Sequence, residues 1–231
     1  HFTDLFLFHC STQLGLNFKR ASFEHRLDKS QAPINEKIQV QAIRTEKLPL
    51  LYFNSASHHL PPAIVFMSYY HAIDYFFERA KNLVIREKMQ ALFESNDPGQ
   101  STHLRNMARA VNSLKDNFSE KESLSLVMKR VVEAGCINSW LEENPEAKIW
   151  ATLKQSDYPD LPLLKMDNHN DLCRSLVERI YAIKSTLAEE QDKQHFVWQP
   201  CLDEPLLQQE IPLMKWLAAQ TIEVWSVQDP I

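Results

Sequence analysis

Three kinds of side chain in this sequence could do chemistry: histidines near carboxylates, clustered basic residues, and isolated thiols. Of the nine histidines, His58 and His59 are adjacent in a loop-like stretch, and no HExxH or HxH spacing occurs that would hold a metal. His71 stands three residues before Asp74 inside an apolar run, so on a helix the two share a face. Such a pair is a satisfied core histidine, a polar contact at a subunit interface, or a catalytic dyad, and for the last no nucleophile can be named. Arg20 and His25 are five positions apart, but in a stretch without helical periodicity. Arg79, Lys81, Arg86 and Lys88 form one basic cluster and Arg105 and Arg109 another. Both are possible nucleic-acid contacts, although Glu78 and Glu87 interrupt the first. Cys10, Cys136, Cys173 and Cys201 include no CxxC pair and read as buried free thiols rather than disulfides or zinc ligands.

The totals narrow the classes. The chain has only 3 glycines among 231 residues, at Gly15, Gly99 and Gly135. These are too scattered for a phosphate-cradling loop and too few for a turn-rich β architecture, so no cofactor is implied and helices are favoured. A net charge of −5 provides no general attraction to phosphate backbones. With 44% hydrophobic and 24% charged residues the composition is globular. No stretch approaches the ~18 uncharged apolar residues of a membrane span, so a soluble, cytoplasmic protein is expected.

The elements that must position these residues follow from period. Residues 1–57 carry a short apolar run, Leu5-Phe6-Leu7-Phe8, and an alternating stretch from Ile38 to Ile43. They read as an irregular or weakly β segment, the end of a preceding domain. Residues 58–231 read as a helical bundle. Pro61-Pro62 opens a helix that is apolar or aromatic nearly all round from Ala63 to Phe77, becomes amphipathic after Glu78, and stops near Asn96-Asp97-Pro98-Gly99. Leu104, Met107, Ala108, Val111, Leu114 and Phe118 stripe a second helix. Ser119-Glu120-Lys121-Glu122 is a capping box for a third, with Gly135 at its end. Short helices are expected around 139–143 and 146–154, and a loop over 156–166. A long helix capped by Asp167 or Asn168 follows, striped by Leu172, Leu176, Ile180, Ile183 and Leu187. The last helix, after a loop with Pro200 and Pro205, carries Leu213, Met214, Leu217, Ile222 and Trp225.

Four pieces, in order, carry a resemblance. Leu176-Val177-Glu178-Arg179-Ile180-Tyr181-Ala182-Ile183-Lys184-Ser185-Thr186-Leu187-Ala188-Glu189 resembles the signature helix of the HEPN family (higher eukaryotes and prokaryotes nucleotide-binding domains). It is most similar to the bacterial ApeA-like or MauJ-like branch, whose helix reads R-I-Y-x-I-R-N-x-L-V-H. The run from Phe66 to Phe77 is similar to the family's first core helix, the run from Ser119 to Val132 to its middle helix, and Glu210-Ile211-Pro212-Leu213 to the start of its last. The resemblance covers roughly residues 50–227.

What the resemblance implies is an all-α bundle that pairs as a homodimer or with another HEPN-like subunit, often as a metal-independent ribonuclease in bacterial antiviral defence. In active members the Arg of an R-x4-6-H motif holds the scissile phosphate and the His moves a proton. This chain departs there: Lys184 stands for the Arg, Ser185 for the following Asn, and Glu189 for the His. Lys keeps the charge without the planar fork that grips phosphate at two points, and an ionised Glu repels phosphate. His195 could reach Lys184 only from a loop. The three positions are either a solvated helix face or a degenerate active site kept for interaction. The expectation is a catalytically degenerate HEPN-like domain working in assembly, regulation or RNA or DNA sensing, with Tyr70, His71, Asp74 and Lys184 at its interface and no metal. The alternatives are an active ribonuclease using non-standard residues and a scaffold subunit with no nucleic-acid role.

Overall fold

The computed structural model describes residues 2–14, 46–56, 60–95, 118–134, 137–153, 161–187 and 204–226. The chain is mainly α, and among the described residues there is no strand. In chain order the helices are α1 (Phe2–Leu14), α2 (Lys47–Ser55), α3 (Pro62–Asp74), α4 (Phe77–Ser95), α5 (Glu120–Ala134), α6 (Ile137–Glu143), α7 (Pro145–Thr152), α8 (His169–Leu187) and α9 (Glu204–Ser226). No helix among the described residues is long and apolar enough to cross a membrane.

Local chemistry sets several of the boundaries. Pro62 and Pro145 occupy the first turns of α3 and α7, where a missing N–H costs no hydrogen bond. At α5 the capping box is complete: the Ser119 backbone N–H donates to Glu122 Oε2 at 2.7 Å, and the Glu122 N–H donates back to Ser119 Oγ at 3.2 Å. Asn168 caps α8 by accepting the Asp171 N–H at 2.9 Å. The segment before α8 is fixed on both sides, by the Leu164 N–H on the Ala151 carbonyl at 2.9 Å and the Lys165 N–H on Ser175 Oγ at 3.0 Å.

Helix α3 lies at the centre. It packs chiefly on α9 and α2, while α8 packs on α5, α4 on α5, and α1 on α2. Phe66, Tyr69, Tyr70 and Ile73 of α3 are buried almost completely, as an all-round apolar helix requires. Aromatic contacts continue outward from it, Phe53 to Tyr69 at 5.2 Å and Phe8 to Phe53 at 4.9 Å between ring centroids. Leu5 and Phe8 of α1 and Leu50 and Phe53 of α2 belong to the same hydrophobic cluster as the rest of the bundle.

Four features differ from what the sequence predicts. Within the segment expected to be irregular or weakly β, residues 2–14 and 47–55 are helical; the alternating stretch 38–43 lies outside the described residues. Leu5-Phe6-Leu7-Phe8 is too short and too uniformly apolar to show a period, so packing on α2 rather than pattern decides its state. The helix expected to run unbroken from Pro62 past Glu78 turns at Tyr75-Phe76, where the Phe76 N–H bonds three residues back to the Ile73 carbonyl at 3.1 Å. No Gly or Pro marks that turn. Helix α9 begins at Glu204, well before the expected start, and carries Pro212 in its interior. Finally, α3 and α8, which carry the expected interface residues Tyr70, His71, Asp74 and Lys184, touch only slightly, and α2 and α9 cover α3 instead. The predicted stripe from Leu104 to Leu114 and the Gly135 stop lie outside the described residues.

The N-terminal part of α9 is anchored by charge. Arg179 of α8 and Glu210 of α9 form an ion pair with side chains 1% and 2% exposed. Arg179 Nη2 donates to Glu210 Oε1 at 2.5 Å and Nε to Oε2 at 3.1 Å, a two-point grip. Arg179 Nη1 also donates to the Pro162 carbonyl at 2.8 Å, and the Trp150 indole N–H donates to Glu210 Oε1 at 2.5 Å. Together with Leu207 and Ile211, buried on either side, this anchoring keeps the chain helical across Pro212 despite the lost backbone bond.

Replacing Arg179 by Ala leaves a buried carboxylate without its partner, and is expected to cost about 3–5 kcal/mol. The double replacement Arg179→Met with Glu210→Leu removes both charges and is expected to cost less than either single change. Urea unfolding of the three variants checks the order.

Candidate functional site

Where α3, α5 and α8 meet, the structure brings together Tyr70, Glu120 and Lys184, with His71 and Asp74 beside them. Tyr70 lies on α3, a turn before Asp74. Its hydroxyl donates to Glu120 Oε1 at 2.7 Å. Lys184, five residues beyond Arg179 on α8, donates from Nζ to Glu120 Oε2 at 2.8 Å. Glu120 therefore takes one donor on each carboxylate oxygen, from two different helices. Beside it, His71 Nδ1 meets Asp74 Oδ2 at 3.0 Å, and the Tyr52 ring of α2 lies 5.5 Å from the imidazole. Lys121 Nζ stands 5.8 Å over the Tyr181 ring on the other flank.

Burial grades the cluster. Tyr70 and Lys184 are buried, with residue exposures of 1% and 7%, whereas the His71 and Asp74 side chains are 45% and 33% exposed. Burial, reinforced by the Glu120 carboxylate, pushes the Tyr70 phenol far up, so it stays a donor. Burial raises Asp74 despite the opposing His71 contact. Burial works in the same direction on Glu120, but the bonds from Lys184 and Tyr70 outweigh it and hold that carboxyl below its usual range. Glu120 is thus ionised and engaged.

The residues expected to matter fall out unevenly. Lys184 is no solvated cation; it is bonded inside its own chain. The Ser185 hydroxyl is buried with no hydrogen-bond partner. Glu189 and His195 lie outside the described residues, as do Arg20, His25, His58, His59, Arg105 and Arg109. Of the four expected interface residues, Tyr70 and Lys184 face inward, while His71 and Asp74 keep surface. His71 is not a core histidine. On α4, Arg79 and Arg86 are seven residues apart, and so are Lys81 and Lys88. At roughly 100° per residue the two pairs lie on opposite sides of the helix, so the four do not make one row for a phosphate backbone. Lys81 is also bonded to Glu78 at 2.7 Å. Cys10 and Cys173 are buried free thiols; Cys136 and Cys201 lie outside the described residues.

Between α5 and α8 runs a cleft of about 600 Å3. Its rims carry Lys121, Lys129 and Arg174 against Glu122, Glu133 and Glu178, so its formal charges cancel and it selects no charge class of ligand.

Sequence reasoning missed Glu120 and Glu210. Glu120 was visible only as a member of the capping segment, whose bonding partner is Glu122. The acceptor for Lys184 is 64 positions away in the chain, and nothing local signals it. Comparison with protein-family models, with curated proteins and with solved structures gives no match.

Because the folded carboxyl of Glu120 is held low, its stabilisation is complete above about pH 4.5 and is lost as the pH falls through its lower folded value. Wild type is therefore expected to unfold at higher urea than Glu120→Gln at pH 7. The two midpoints are expected to converge as the pH falls below 4.5 and the wild-type carboxylate takes its proton. Parallel midpoints across that window would show that Glu120 is not engaged.

Proposed function

We propose that the chain is a catalytically degenerate HEPN-like bundle, acting in assembly, regulation or nucleic-acid sensing within a bacterial defence or toxin-like system in the cytoplasm. The observation that supports this best is the state of Lys184, at the position of the phosphate-gripping Arg in the resembled motif. It is buried and closed in a pair with Glu120. A cation neutralised at 2.8 Å by a carboxylate has little field left to stabilise charge developing on a scissile phosphate. The matching Arg179 is likewise engaged, inside the core. Both basic residues of the resembled stretch 176–189, Arg179 and Lys184, thus hold the bundle together, and the role left for this region is recognition.

The partner is a second copy of this chain or another HEPN-like subunit. The face offered is that of α2 and α3, which pack side by side and leave Leu48, Leu51 and Ile64 substantially exposed. His71 and Asp74 supply polar contacts on the same helix α3. Exposed large apolar side chains together with a polar pair match the composition of a protein interface more than that of a catalytic cleft.

Incubation of the chain with mixed-sequence RNA in the presence of a chelator is expected to give no cleavage above buffer. Cleavage abolished by Lys184→Ala or His71→Ala would overturn the degenerate reading. Light scattering at micromolar concentration is expected to give the mass of two chains, or of one chain that becomes two only with its HEPN-like partner. Leu48→Glu with Ile64→Glu is expected to abolish the pairing.

A further inference from the structure

We infer that the cleft between α5 and α8 is a docking groove for an amphipathic helix of another protein. That helix lays a row of aliphatic side chains into the groove and carries basic, acidic and basic side chains at successive turns along its flanks. The shape of the cleft points to a rod. Its lining runs from Ser119 to Glu133 on the α5 side and from Glu178 back to His169 on α8, a length of about 21 Å at 1.5 Å per residue. A volume of about 600 Å3 drawn out over that length leaves a cross-section of ~30 Å2, room for one row of side chains but not for a helix backbone. A compact small molecule would lie largely in water there, whereas ligand pockets enclose most of their ligand.

The floor suits an apolar row. Val132, Cys173 and Val177 are buried along it, and burial, with Glu133 nearby, pushes the Cys173 thiol up, so it stays neutral. The two helices run antiparallel: Glu120 at the start of α5 bonds Lys184 near the end of α8, while Lys129 and Glu133 act on Cys173 near its start. That register sets the order of the rim charges. Glu122 is committed to its Ser119 cap, Arg174 to Asp171 Oδ1 at 2.5 Å, and Lys121 to the face of Tyr181. Glu178, Lys129 and Glu133 make no ion pair among the described residues. They follow one another at intervals of about one helical turn. Charges that cancel in sum therefore alternate in order: negative, positive, negative. A helix that answers them turn by turn meets attraction at all three, and one of inverse order meets repulsion at all three.

A second copy of the chain does not supply this helix from its described elements. Its exposed large apolar side chains are Phe6 on α1, Leu48 and Leu51 on α2, Ile64 on α3 and Ile149 on α7, with Leu153 just beyond α7. No described helix thus shows a row of more than two. The inference goes beyond the pairing proposed above, which uses the α2 and α3 face, and the outcome for either face leaves the other standing.

The test is fluorescence anisotropy with two stapled helical peptides of ~15 residues, identical in their leucine and alanine row. One carries lysine, glutamate and lysine at successive turns beside the row, and the other glutamate, lysine and glutamate. Outward-facing charges make both peptides neutral overall. Wild type is expected to bind the first at least ~10-fold tighter than the second, since three exposed charge contacts change sign between them. The triple variant Glu178→Lys/Lys129→Glu/Glu133→Lys is expected to reverse the preference. If it fails to fold, Lys129→Glu/Glu133→Lys, with both positions exposed, takes its place. Iodoacetamide labelling of Cys173, read by mass spectrometry, is expected to slow when the first peptide is bound. No binding, equal binding of the two peptides, an unchanged preference in the variant or unprotected Cys173 overturns the inference. A wild-type dimer that the charge reversals split into single chains, seen by light scattering, also overturns it, because a second copy then fills the groove.

Discussion

A guanidinium and a carboxylate buried to within two per cent of complete exclusion from water decide how this bundle is put together. Isolated, either charge would be very costly in the interior. Together, Arg179 and Glu210 satisfy each other at two points, and the remaining donors and acceptors reach the Pro162 carbonyl and the Trp150 indole. Four pieces of chain, α7, the segment before α8, α8 and α9, are tied by one set of bonds that tolerates no slip of register. Apolar contacts alone allow a helix to slide or rotate with small changes in buried area; this network does not.

The consequence for the candidate site is geometric. At 3.6 residues per turn, Lys184 lies roughly 140° around α8 from Arg179. With Arg179 fixed towards α7 and α9, Lys184 must face the opposite edge of the buried arc, towards α3 and α5. There it meets Glu120 and, through it, Tyr70. One helix therefore carries two inward cations, one on each edge of its buried face, and each is answered by a carboxylate from another helix. The outer pair differs from the core pair in one respect: Glu120 keeps contact with water.

Much of this architecture is legible in the sequence where the signal is local. The capping box at Ser119 and Glu122, the Asn168 cap, the proline start of α3 and the stripe of Leu172, Leu176, Ile180 and Ile183 all rest on residues within a few positions of one another, and each stands as read. What escaped depends on distance or on competition. Pro212 argues locally against a helix, and only the burial of Glu210, Leu207 and Ile211 overrides it. Tyr75-Phe76 interrupts a run that looks continuous, since aromatic residues carry no turn signal. Nothing local signals that Arg179 and Lys184 are buried, because their partners lie 31 and 64 positions away. A charged residue placed beside an apolar stripe was the one available hint, and it applies to Arg179, immediately before Ile180.

The account stands on Lys184 being held inside its own chain, and the exchange of its ammonium protons with water, followed by nitrogen-detected NMR at low temperature and mildly acidic pH, tests this most directly. The Lys184 resonance is expected to appear as a slowly exchanging ammonium that broadens away in Glu120→Gln, while the exposed Lys88 exchanges too fast to observe in both. A Lys184 ammonium that exchanges as fast as that of Lys88, and is indifferent to Glu120→Gln, would contradict it.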